Sequence, residues 1–68
     1  MNVTKEQIDA LRPYMENIDQ LILSDDLLEF ELLLDHTIVE LGFDKNDEIT
    51  EIGLFLQKIY DQIYAQNN

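Results

Sequence analysis

The apolar residues of this 68-residue chain recur at intervals of three and four, and no segment alternates with a period of two. That pattern puts every candidate core residue on a helix face and predicts an all-α fold without strands. A chain of this length makes a single helical domain, 1–68, close to the smallest size that can bury a core of its own. Cysteine is absent, which excludes disulfides, a thiolate nucleophile and cysteine-ligated metal.

Three helices follow from the punctuation. Thr4 is placed to cap the first, with Gln7 three residues on to complete a capping box. Ile8, Leu11, Met15, Ile18 and Ile22 then form one stripe, predicting a helix over about 5–23. Pro13 lies inside it, where the missing N–H and the clash with the carbonyl of Asp9 would break a helix. Because the stripe keeps its phase and Pro13 projects from the opposite side, the reading favoured is one helix kinked at Pro13. Ser24 is read as the cap of a second helix over about 25–41, with Asp25 and Asp26 at the positive end of its dipole. Gly42 is expected to end it in a left-handed conformation, with Phe43 folding back on Ile38. Thr50 caps a third helix over about 51–65, Ile49 stapling onto Leu54, with Ile52, Phe55, Leu56, Ile59 and Ile63 as its buried face. The expectation is a three-helix bundle with antiparallel neighbours and a flexible end at 66–68.

The second helix has more apolar residues than one core needs. Leu27, Phe30, Leu34, Ile38 and Leu41 share one side; Leu28, Leu32 and Val39 stand well round from them, and Leu33 points elsewhere. A helix that touches two neighbours would need such a wide face, and so would a helix that meets another chain. Asp35 interrupts the second stripe, and a charge there has to be paired or stand at a rim. Asp25, Glu29, His36 and Glu40 form an acidic edge on the remaining side, which reads as a solvated border, since one histidine without cysteine makes a poor transition-metal site. Tyr60 and Tyr64 flank the third helix one turn apart, with Gly53 on the same side. Gly53 marks either a close approach of another backbone or a first turn where glycine costs little. With Tyr14 and Phe43 these rings are the anchors expected of a partner-binding surface.

The turn Asp44-Lys45-Asn46-Asp47-Glu48 matches the first three ligand positions of a calcium-binding loop, but Ile49 stands where glycine is required and Phe55 where the bidentate glutamate belongs. It is read as a helix connection. The one serine serves best as a cap, and His36 has no nucleophile to activate, so no enzyme activity, cofactor or metal is expected. Fifteen acidic against four basic residues give a net charge of −11, which argues against direct nucleic-acid binding and adsorption to anionic lipid and leaves a partner with a basic surface, or a homodimer. With no basic start followed by an apolar run, the default expectation is a cytoplasmic protein without membrane association.

The stretch Ile38-Val39-Glu40-Leu41-Gly42-Phe43-Asp44, continued through Glu48-Ile49-Thr50 and Gly53 to Leu56-Gln57-Lys58-Ile59-Tyr60-Asp61-Gln62-Ile63-Tyr64, resembles small acidic helical proteins encoded by phages and prophages of Gram-positive bacteria. The Pro13-Tyr14-Met15 region is similar too. The resemblance implies a mobile-element accessory protein in a bacterial cytoplasm and transfers no catalytic or binding residue. The expectation drawn from all of this is a non-catalytic interaction module that modulates a host or phage protein, in its sharpest form as a mimic of DNA. The alternative is an assembly component acting as a homo-oligomer.

Overall fold

A computed structural model describes residues 1–68 as four α-helices and one isolated β-bridge: α1 (Lys5–Leu11), α2 (Ile18–Ser24), α3 (Leu27–Leu41) and α4 (Glu51–Gln66). The all-α class stands, but the three-helix count and the kinked first helix give way to two short helices with a break. Pro13 is the cause. Arg12 N–H still reaches the Ile8 carbonyl at 3.0 Å, but beyond the proline both Tyr14 and Met15 donate to the one carbonyl of Leu11, at 2.9 and 3.0 Å. One i to i−3 and one i to i−4 bond thus share a carbonyl in a tight turn, the i to i−4 series stops there, and helix returns only at Ile18. The middle of the stripe survives this break: Leu11, Met15 and Ile18 are buried, Ile8 and Ile22 are only partly covered, and Leu21, outside the predicted stripe, is buried in place of Ile22.

The joint between α2 and α3 reassigns three consecutive polar residues. Ser24 caps nothing and donates its hydroxyl to the Leu21 carbonyl at 2.9 Å. Asp25 takes the left-handed conformation that ends α2, at φ 54° and ψ 30°, and Asp26 is the cap of α3, accepting from Glu29 N–H at 3.1 Å. A short polar side chain tolerates the left-handed region better than most, which suits aspartate to the turn.

At the other end of α3, Gly42 is helical, at φ −88° and ψ −5°, so the expected left-handed ending is not formed. Glycine is required here for space. A Cβ on Gly53 would stand 2.7 Å from Gly42 Cα and closer still to the Gly42 carbonyl oxygen, and one on Gly42 would stand 3.0 Å from Gly53 Cα. Of the two readings of Gly53, close backbone approach is the one realised. Gly42 O accepts from Thr50 N–H at 2.7 Å, Phe43 and Ile49 form the antiparallel bridge, and Thr50 Oγ1 caps α4 by accepting from Gly53 N–H at 3.0 Å. Asp44 organises the turn between them: its Oδ1 accepts from the N–H groups of Asn46 and Glu48 at 2.8 and 3.1 Å, while Asp47 is left-handed at φ 59°.

Leu11, Met15, Ile18, Leu21, Phe30, Leu34, Ile38, Leu56, Ile59 and Ile63 form one core around the α3–α4 hairpin. Ile52 and Phe55, expected inside it, are 41% and 44% exposed. The reason is length: at about 1.5 Å per residue, α1 and α2 are each roughly 10 Å long, against about 22–24 Å for α3 and α4. The turn between α1 and α2 meets α3 at Leu33, His36 and Thr37, and the hairpin projects beyond it.

The opposite end is clasped rather than flexible. Gln7, only 8% exposed, donates to Gln66 Oε1 at 2.7 Å and accepts from Gln66 Nε2 at 3.0 Å and Thr4 N–H at 2.9 Å. Asn2 N–H donates to Asn67 Oδ1 at 2.6 Å, and Asn67 Nδ2 returns to Asn2 O at 2.9 Å. The expected loose end at 66–68 is thus partly the last turn of α4 and partly a tether to the start of the chain.

Candidate functional site

Two faces of α3 have different fates. Phe30, Leu34 and Ile38 turn into the core, whereas Leu28, Leu32 and Val39 are 69%, 60% and 59% exposed. Contact with both neighbours does not account for this second stripe, because α2 meets α3 elsewhere, along a line that includes Leu33. A shallow groove lined by Asp26, Leu28, Glu29, Leu32 and Leu33 runs along the outside of the first half of α3.

The flank of α4 adjoins this side. Tyr60 is half-buried within electrostatic reach of Glu31 and Asp35, and Tyr64, one turn on, is exposed. Partial burial raises the Tyr60 phenol above its ordinary value of 10.0, with Glu31, Asp35, Tyr64 and Asp61 adding to the effect, because each disfavours a phenolate charge. Gly53 occupies the same flank, and Ile49 Cγ1 lies 2.8 Å from where its Cβ would be. The Phe43–Ile49 pair therefore sits at the turn end of the same seam, both residues partly exposed. Leu28, Leu32 and Val39 are exposed along α3, Tyr60 on α4 lies within electrostatic reach of Glu31 and Asp35, and Phe43 stands at the turn.

Tyr14 is not among them. It lines a cleft with Met15, Leu33, His36 and Thr37 where the α1–α2 turn meets α3. The acidic edge divides as well. Glu29 and Glu40 border the apolar stripe, Glu40 accepting from His36 Nε2 at 2.9 Å, but Asp25 stands at the α2–α3 joint and pairs with the Met1 ammonium. Elsewhere Arg12 spans the Pro13 break, bonded to Asp19 at 2.7 Å with Asp9 at 3.9 Å, and its guanidinium holds its proton more strongly than usual, first through the Asp19 hydrogen bond. Lys5, Lys45 and Lys58 make no ion pair, and α3 contains neither lysine nor arginine.

Sequence reasoning missed a second apolar surface, the hairpin tip. Leu41, Ile52 and Phe55 continue the inward faces of α3 and α4 past the point that the α1–α2 arm covers. The signal that points to them is Pro13, since a break there shortens the covering arm. No helix is long and apolar enough to cross a membrane. Compared with known proteins, the chain matches no family model, no curated protein and no solved structure.

Proposed function

We propose that this protein is a non-catalytic acidic interaction module, a phage or prophage accessory protein of the bacterial cytoplasm, that binds a host or phage protein through the α3–α4 face and modulates it. The observation that carries this reading is an uncovered apolar stripe, Leu28, Leu32 and Val39, on a body of net charge −11. Apolar contact with aromatic anchors supplies affinity, and the carboxylates raise the encounter rate with a basic surface. In its sharpest form the module occupies a nucleic-acid-binding surface, presenting carboxylates where phosphates would lie. The absence of catalysis is supported by the use of the one serine hydroxyl in a bond to the Leu21 carbonyl and by the exposed position of the His36–Glu40 pair.

The exposed stripe also suits a second reading, a homo-oligomeric assembly component that buries Leu28, Leu32 and Val39 against a copy of itself. Light-scattering mass across a concentration series at about physiological ionic strength separates the two, since screening then extends over roughly 8 Å. An 8.0 kDa monomer at all concentrations is expected. A concentration-independent dimer that Leu28→Glu with Val39→Glu converts to monomer would overturn the module reading in favour of assembly.

A further inference from the structure

On the α3–α4 face, apolar area, aromatic rings and unpaired carboxylates occur together without a cation. Glu31 and Asp35 lie within electrostatic reach of Tyr60, Asp35 is exposed on α3 between Leu32 and Val39, and neither carboxylate has an ion-pair partner in the chain. Any occupant that buries Leu28, Leu32 and Val39 also draws Asp35 out of water, and a carboxylate in that position is strongly unfavourable unless a positive group meets it. A second copy would bring its own carboxylates to the same place, each chain carrying −11. A basic helical segment meets both requirements at once. Leu28, Leu32 and Val39 extend along about 16 Å of α3 at roughly 1.5 Å per residue, a length over which a helix lays down three successive apolar side chains.

We propose that the α3–α4 face binds an amphipathic helix bearing arginine, whose guanidinium lies against Tyr60 and Tyr64 and pairs with Asp35 or Glu31, while Leu28, Leu32 and Val39 take its apolar side chains. This rests on the module reading and names the chemistry of its partner. Arginine is favoured over lysine because the guanidinium is planar and weakly hydrated, stacks on a ring and still pairs with a carboxylate. An ammonium is more strongly hydrated and lacks the planar fork, so it does both less well.

The test uses the full chain and three fluorescein-labelled 18-residue peptides, read by fluorescence anisotropy at physiological salt. One is an amphipathic helix of leucine, alanine and arginine; one has lysine for arginine; one is the arginine peptide scrambled so that no apolar stripe forms. The arginine helix is expected to bind about threefold or more tighter than the lysine helix, and the scrambled peptide to bind far more weakly. Asp35→Asn should weaken the arginine helix about tenfold, and Tyr64→Leu should erase the arginine preference, each with unchanged helix content by circular dichroism. Both residues are exposed, so neither change threatens the core. Equal binding of all three peptides, or indifference to both substitutions, overturns the proposal. Amide shifts centred on Leu41, Ile52 and Phe55 would overturn it while leaving the module reading intact. A constitutive dimer with the α3 stripe inside its interface would overturn both.

Discussion

The two ends of the α3–α4 hairpin are built on opposite terms. Where α4 ends, Gln7 and Asn2 from the start of the chain interlock with Gln66 and Asn67, so polar side chains close the core and every buried amide atom finds a partner. Where α3 turns into α4, two glycine backbones touch and Leu41, Phe43, Ile49, Ile52 and Phe55 remain partly in water. One end is sealed by hydrogen bonds between segments distant in sequence; the other is rigid by backbone contact and left open in apolar area. Rigidity and closure are therefore separate properties, and a docking surface gains from the first without the second, because ordering it on binding costs little.

Between the two ends, the larger effect is expected at the open one. Gly53→Ala drives a methyl group into the Gly42 backbone and should lower stability by about 3 kcal/mol, since backbone cannot move aside as a side chain can. Urea unfolding followed by circular dichroism would read it, and a loss below about 1 kcal/mol would mean the two glycines are not in contact. At the clasped end, Gln7→Ala removes four side-chain hydrogen bonds and leaves Gln66 Oε1 without its donor, while Gln66 Nε2 keeps its bond to Asn2 O, for an expected loss of about 1–2 kcal/mol. The same substitution should raise amide exchange at Asn67 and leave the hairpin tip unchanged; equal effects at both ends would merge the two regions into one cooperative unit.

Phe55→Gln should cost about 1 kcal/mol or less, against about 2–5 kcal/mol for Leu56→Ala next to it, because only Leu56 is enclosed. Reversal of that order would show the tip to be covered in solution. The smallest effect concerns Tyr60. Its folded phenol keeps its proton above the ordinary value of 10.0, so both states are neutral below that pH. As pH rises past it the unfolded chain ionises first, and stability declines until the folded phenol ionises too. Tyr60→Phe should remove that part of the alkaline decline in denaturant midpoints; an identical pH profile would contradict the partial burial of Tyr60 and, after it, the influence of Glu31 and Asp35.

Much of the local architecture was legible in the sequence. The Thr4 capping box with Gln7, the Thr50 cap, the end of α3 at Leu41 and the buried residues Leu11, Phe30, Leu34, Ile38, Leu56, Ile59 and Ile63 all stand where spacing and cap chemistry put them. The misreadings share a cause. Ser24, Asp25 and Asp26 are each able to cap, and only the angle between α2 and α3 selects Asp26. Gly42 near a helix end reads as a left-handed terminator until Gly53 is known to lie against it. The α3 stripe was recognisable as surplus, yet nothing in the pattern told whether a neighbouring helix would cover it.

By itself the sequence determined that this chain is helical, acidic and without the groups for thiolate or disulfide chemistry, because periodicity, capping and charge act within a few residues of the chain or on its sum. Tertiary structure decided the rest: that Pro13 breaks rather than bends, that the shortened arm leaves the hairpin tip uncovered, and that the second stripe of α3 stays exposed while Tyr60 is half-buried within reach of Glu31 and Asp35. Those outcomes depend on the relative lengths and placement of segments tens of residues apart. No local preference encodes which apolar face finds a partner inside the fold and which is left for one outside it.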